Sequence, residues 1–296
     1  MDVGIALPTM ADGWQPDTLG RWSAAIDDGP FSSISCGERI TFRNVEMLTT
    51  LAAATAATHR VRVFANLVIA PWHATTLLAK QLATLDLLSG GRLDVGLGVG
   101  GRGQDYAALD ASTARRHQRL DDQVAELRRL WAGEPPVPDA PPLGPPCVQP
   151  GGPPLYAGAM GPKAMARAAR WAEGISGFSM SLDPTEVRDA ASMAADAWSA
   201  AGREAPPRLR VACFYALGPD APAVLERFAN EYLAIFGTAI AEAMAATAVL
   251  SSAGRVGAAL EALAATGVCD EAILVPGTVD PACIDATVAA VGAWRG

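Results

Sequence analysis

The chain has 296 residues, half of them hydrophobic and 18% charged, which is enough apolar surface for one large core and too little charge for a disordered chain. Acidic residues outnumber basic ones 31 to 23, for a formal charge of −8, so the long-range field repels phosphate backbones and anionic lipid and argues against a nucleic-acid partner. No basic segment precedes an apolar run at the N-terminus, and the most apolar helical stretch, 239–250, is short and broken by Glu242, so the expectation is a cytoplasmic protein with no membrane partner. Cys36, Cys147, Cys213, Cys269 and Cys283 are odd in number and form no CxxC pair, which suits reduced thiols.

In chain order, residues 3–7 read as a strand and 17–28 as an amphipathic helix; 31–36 is strand-like, and 44–58 is helical behind an Asn44 cap. Residues 61–67 form a third strand. The helix 75–88 stops at Gly90-Gly91, where glycine takes a left-handed backbone at little cost, and a fourth strand follows at 93–98. A fourth helix, 112–131, ends at Gly133. Ten of the chain's 22 prolines and four glycines then fall within 133–154, a composition that sustains neither helix nor central strand. The rhythm resumes with strands at 155–158, 175–178, 209–217 and 272–275 and helices at 162–172, 184–201 and 281–294, while 221–250 is long enough for two helices. Eight strands, each followed by a helix, imply an α/β fold with a parallel sheet closed into a single (β/α)8 barrel over residues 1–296, with extra helices and a Pro-rich loop. Function in such a barrel sits at the C-terminal strand ends.

Gly98-Val99-Gly100-Gly101-Arg102-Gly103 matches GxGxxG. It follows the fourth strand rather than the first, no helix is expected before residue 112, and no acid sits at a strand end about 20 residues on, so a Rossmann site is disfavoured. At a barrel rim these glycines let backbone approach a ligand and offer N–H donors to an anion, or simply turn the chain. Gly158-Ala159-Met160-Gly161-Pro162-Lys163 opens the fifth helix with Gly161 as cap and Pro162 as first residue. That is the outline of a phosphate cradle, or an ordinary Gly-Pro helix start with a surface lysine. Trp72 and His73, after strand three, suit a planar ligand and proton transfer, or a cover over the mouth and a solvated imidazole. Glu38-Arg39 after strand two reads as a ligand contact or a rim ion pair. Neither lysine, Lys80 or Lys163, lies on an inward strand position for Schiff-base chemistry. His73 alone among the histidines falls at a strand end, so no metal is implied. Two anion cradles, an apolar mouth and few titratable groups suggest that an organic cofactor brings the chemistry.

The segment LAKQLATLDLLSGGRLDVGLGVG (78–100) resembles the central signature of the bacterial luciferase-like superfamily of flavin- and deazaflavin-dependent oxidoreductases, and PPLYAGAMGPK (153–163) extends the match. The resemblance implies a TIM barrel, a homodimer, and coenzyme F-420 or FMN with its ring across the mouth. It assigns the phosphate to Val99 and Gly100 and to Gly158, Ala159, Met160 and Gly161, with Lys163 adding charge. It also implies a non-prolyl cis peptide at Asn66–Leu67, packed against the ring. Deazaflavin members commonly carry an acid–His pair after strand two, and some an acid after the fourth-strand Gly-x-Gly; this chain has Glu38-Arg39 and Gly101 there. The expected reaction is hydride transfer between F-420 and a small apolar carbonyl, alcohol or activated alkene. His73 or Glu38 would handle the proton, and Trp14, Arg39, Trp72 and Tyr215 would face the substrate. The same fold would serve reduced FMN and oxygen in a monooxygenase fed by a separate flavin reductase. A barrel that holds a flavin without turnover, as carrier or sensor, is the remaining reading.

Overall fold

Alternating short β-branched runs and amphipathic helical ones build a closed barrel, described by a computed structural model over residues 1–296. The order is β1 (Asp2–Ala6), α1 (Thr18–Asp28), β2 (Ser33–Cys36), α2 (Met47–Ala56), β3 (Arg62–Ile69), α3 (Thr75–Leu88), β4 (Leu93–Gly98), α4 (Gly103–Ala108), α5 (Arg116–Trp131), β5 (Leu155–Ala157), α6 (Pro162–Ala168) and β6 (Gly174–Phe178). It continues with α7 (Pro184–Ala200), β7 (Arg208–Tyr215), α8 (Ala221–Leu233), α9 (Thr238–Ala245), α10 (Ala253–Ala264), β8 (Glu271–Pro276) and α11 (Pro281–Arg295). All neighbouring strands pair in parallel, and β8 returns to β1 with Val3 opposite Ala272, so the fold is a TIM barrel.

Because side chains alternate across a strand, each strand serves two cores. Outward residues such as Val3, Ile5, Val63, Val95 and Leu274 pack under the helices in a cluster of 56 buried residues. Inward residues fill the barrel in layers. At the bottom Asp94 accepts from Arg62 Nε and from Arg210 Nη2, both at 2.7 Å, and Arg210 Nε lies 3.1 Å from Glu271 Oε2. Ser33 Oγ donates to Glu271 Oε1 at 2.7 Å, and a Cβ on Gly4 would lie 2.2 Å from that hydroxyl. Phe64, Tyr156, Ala212 and Ile273 form the middle layer, with the Arg210 guanidinium 4.5 Å from the Phe64 ring centre and 4.2 Å from that of Tyr156. Above them the barrel is open.

Several element bounds differ from the sequence expectation. The second helix begins at Met47 and not at Asn44, because the Glu46 carboxylate caps the backbone N–H groups of Leu48 and Thr49, while Asn44 Nδ2 instead ties the preceding loop by donating to Arg39 O and Val45 O. The short α4 starts at Gly103, so a helix does follow the fourth-strand glycines; its Tyr106 hydroxyl donates to Val99 O at 2.6 Å. The next helix starts at Arg116 rather than at residue 112. β3 runs on to Ile69, two residues past its expected end, because its register against β4 shifts between Ala65 and Val68. Residues 132–154 hold no helix or strand, and all five cysteines are free thiols.

Candidate active site

The register shift in β3 is what shapes the mouth. A bulge places consecutive residues on one side of a strand, and here both Asn66 and Leu67 line the cavity at the C-terminal end of the barrel. The Asn66–Leu67 peptide is cis. Leu67 occupies space left by three glycines: an added Cβ would lie 2.4 Å from Leu67 Cδ2 at Gly96, and 3.2 Å and 2.3 Å from its Cδ1 at Gly98 and Gly158. Those glycines admit an inward leucine where Cβ atoms on β4 and β5 would block it.

The cavity holds about 340 Å3, within the usual range for a small-molecule site. Its floor is polar. Ser176 Oγ donates to Asn66 Oδ1 at 2.7 Å, whereas the buried Ser35 Oγ has no partner. One wall is aromatic: Phe178, Phe214 and Tyr232 line it, with the Phe214 ring centre 4.6 Å from Phe178 and 5.1 Å from Tyr232. The facing wall joins the two glycine rims, through Gly98, Val99 and Gly100 on one side and Gly158 and Met160 on the other. The backbone N–H groups of Gly100, Gly101, Ala159, Met160 and Gly161 donate to no protein acceptor. Such N–H groups, on two loops that meet beside the cavity, are free to take a hydrogen-bond acceptor.

Glu38 stands at the edge of this space with 3% of its side chain exposed. Its Oε2 accepts from the Ile69 backbone N–H at 2.6 Å, and its Oε1 lies 2.8 Å from His73 Nε2. Trp72 Nε1 also lies 3.1 Å from His73 Nε2. One ring nitrogen donates or accepts, not both; beside a carboxylate, Nε2 carries the hydrogen and gives it to Glu38. The acid–His pair that the sequence lacks after strand two is therefore assembled in space from β2 and the turn after β3.

The other expected site residues divide between the cavity and its surroundings. Asn66, Leu67, Val99, Gly100, Gly158 and Met160 line it, Met160 being 86% exposed. Ala159 turns into the core under the helices, Gly161 caps α6 outside the lining, and Lys163 is an exposed residue of α6 that does not reach the cavity. Tyr215 is displaced most. Strand alternation aims Phe214 into the barrel and Tyr215 outward, where it is fully buried against α11 with its hydroxyl 2.9 Å from Thr287 Oγ1. Trp14 donates from Nε1 to Pro8 O at 2.8 Å and Trp72 packs its edge against Tyr106, ring centres 5.4 Å apart; neither lines the cavity. Arg39 is buried beside Phe42 and Asp105. Ser35, Ser176, Phe178, Phe214 and Tyr232 also line the cavity and are not among the residues expected from sequence. Period-2 alternation could have found the first four, but Tyr232 comes from the end of α8 and carries no local signal.

The sequence profile of luciferase-like monooxygenases matches residues 1–283. An uncharacterized protein of Mycobacterium tuberculosis is 30% identical over 174 residues, which cover 56% of this chain and 61% of that protein, so the match spans about three fifths of the relative's length. Among solved structures, the monooxygenase RslO1 from Streptomyces bottropensis superposes with a TM-score of 0.79 at 23% identity, covering 100% of both chains. An F420-dependent secondary alcohol dehydrogenase in complex with an F420–acetone adduct superposes with a TM-score of 0.77 at 17% identity, again over 100% of both.

Proposed function

The chain belongs to the luciferase-like monooxygenase family, and from that premise we propose that it is an oxidoreductase transferring a hydride between coenzyme F-420 and a small apolar carbonyl, alcohol or activated alkene. One observation carries the reading: a single apolar cavity lies between two loops of unpaired backbone N–H groups and has a buried Glu38–His73 pair at its edge. The donor set fits a phosphorylated tricyclic coenzyme. Gly100, Gly101 and Ala159 to Gly161 would hold its phosphate, and Asn66, Leu67 and the orphaned Ser35 hydroxyl would meet its ring. When bound, the coenzyme would supply the hydride in its reduced form or take it from an alcohol in its oxidised form. The chain's own groups handle position and proton. Phe178 and Phe214 hold an apolar substrate and exclude water, and Glu38 faces the cavity to accept or deliver a proton shared between its Oε1 and His73 Nε2. On this reading the protein acts as a cytoplasmic homodimer.

The test is the melting temperature with each coenzyme, since a ligand of the native state stabilises it by mass action. F-420 at many times its Kd should raise the Tm by several degrees and FMN should not. A rise with FMN alone would replace this reading with that of an oxygen-dependent monooxygenase served by a separate flavin reductase. No rise with either would overturn both. A rise with F-420 but no turnover on a panel of ketones, alcohols and enones would leave a coenzyme carrier.

A further inference from the structure

Arg39 follows β2 directly, and its side chain is 7% exposed. It makes no hydrogen bond, and its Nε and Nη1 are buried without a partner. The nearest carboxylate oxygen, Asp105 Oδ2, is 4.0 Å from Nε, and the other oxygen of Asp105 is taken by the Thr41 backbone N–H at 2.7 Å and by the Thr41 hydroxyl. Aromatic faces surround the guanidinium, 4.0 Å from the ring centre of Phe42 and 5.6 Å from that of Tyr232. They attract the cation but offer no lone pairs to its N–H groups. Arg102, from the β4 rim, approaches the same Tyr232 ring at 5.0 Å, donates to Tyr232 O at 2.9 Å and forms no ion pair. Arg43 is occupied by Asp12 and Glu231. Burial, and then the neighbouring Arg102, hold the Arg39 guanidinium below its ordinary pKa. Arg39 and Arg102 thus share one corner, and the carboxylate nearest Arg39, Asp105, stands 4.0 Å from its Nε. Buried charges with unfilled donors are costly, and such a corner is completed by an anion.

Tyr232 belongs to both this corner and the aromatic wall of the cavity. We propose that the Arg39–Arg102 corner binds a carboxylate, so that the cavity takes an amphipathic acid whose apolar body lies along Phe178, Phe214 and Tyr232. The proposal deepens the functional reading above, on which the cavity is the substrate site. A guanidinium fork receives a carboxylate through two parallel N–H donors, and Arg39 has buried donors free. The carboxylate could belong to the substrate or to the acidic tail of F-420, and the two sources are separable.

Binding of cinnamate and octanoate, and of their neutral amides, is measured by calorimetry on the full chain without coenzyme. Binding of F-420 and of its riboside 5′-phosphate, which keeps a phosphate but lacks the carboxylates of the tail, is measured alongside. At least one acid should bind about tenfold or more tightly than its amide, and R39M and R102M should remove that preference. If the acids show no preference but both variants weaken F-420 and spare the riboside 5′-phosphate, the corner reads the carboxylates of the coenzyme tail and the carboxylate assignment stands. Equal binding of acids and amides, together with F-420 affinity unchanged in both variants, overturns it. R102M alters a partly exposed side chain and carries the same expectation if R39M does not fold. The acid-against-amide comparison uses no coenzyme, so failure of the F-420 reading leaves its outcome intact.

Discussion

His73 shows how a residue's role is decided by what stands across from it. In sequence it is an imidazole 35 positions from Glu38; in the barrel the two are 2.8 Å apart, and Glu38 has its second oxygen fixed by the Ile69 N–H. The carboxylate sets the tautomer, and the Trp72 indole, though 3.1 Å from the same nitrogen, does not. Glu38→Gln should therefore lower turnover about 100-fold while leaving the coenzyme Kd unchanged, the scale of a lost proton-transfer group. Trp72→Phe should leave turnover nearly intact. Steady-state rates beside a coenzyme titration check both; an unimpaired Glu38→Gln would remove the pair from the chemistry. The candidates His73 and Glu38 were legible as rim residues, since each follows a strand. Their contact was not, because nothing local to either segment specifies the angle at which the two strand ends meet.

At the scale of elements, one buried carboxylate ties the C-terminal part of the Pro-rich stretch to a helix. Asp86 of α3 accepts the backbone N–H groups of Val148 and Gln149 on Oδ2, at 2.6 Å and 3.0 Å, and the Gln149 side-chain amide on Oδ1 at 2.8 Å. Lys80, one turn and a half earlier on the same helix, donates to Gly144 O at 2.7 Å. A segment that cannot satisfy its backbone by helix or sheet is satisfied by side chains of a neighbouring helix. Burial, and then the Asp86 charge, push the Cys147 thiol in this segment up to about 11, so little thiolate is present at neutral pH. Asp86→Ala leaves two backbone donors unpaired and should cost about 2–4 kcal/mol. It should also speed alkylation of Cys147 by iodoacetamide, both by loosening the segment and by removing the charge. Peptide mapping after timed labelling reads this directly, and an unchanged rate would mean that the segment is held by other contacts. The resemblance over 78–100 placed Asp86 within a family signature, yet its partner 62 residues on was invisible, because hydrogen bonds to backbone leave no pattern in the receiving sequence.

For the whole molecule, closure of the barrel forces charged residues of β3, β4, β7 and β8 into one interior layer. Arg62 and Arg210 both donate to Asp94 there, Arg210 also pairs with Glu271, and two serine hydroxyls donate to Glu271 Oε1. Removing one member leaves a buried charge unpaired, so Arg210→Met should lower the unfolding free energy by about 3–5 kcal/mol. Arg295→Ala, which breaks an exposed pair with Asp2 at 3.7 Å, should be nearly neutral. Urea unfolding of the two variants measures the difference, and similar costs would show that the interior layer is not what pins the barrel together.

Helix and strand order, the parallel sheet and its closure follow from the chain alone, because amphipathic period and glycine or proline punctuation are local properties that survive any tertiary arrangement. The convergence of positions 98–101 and 158–161 was likewise readable once a closed barrel was granted, since β4 and β5 are neighbours. Tertiary structure alone decided which strand residues face inward beyond the β3 bulge and that Tyr232 lines the mouth. It also decided that an arginine after β2 meets one after β4. A side chain's direction depends on strand register and on loops that cross the rim, and these are set by packing between segments far apart in the chain.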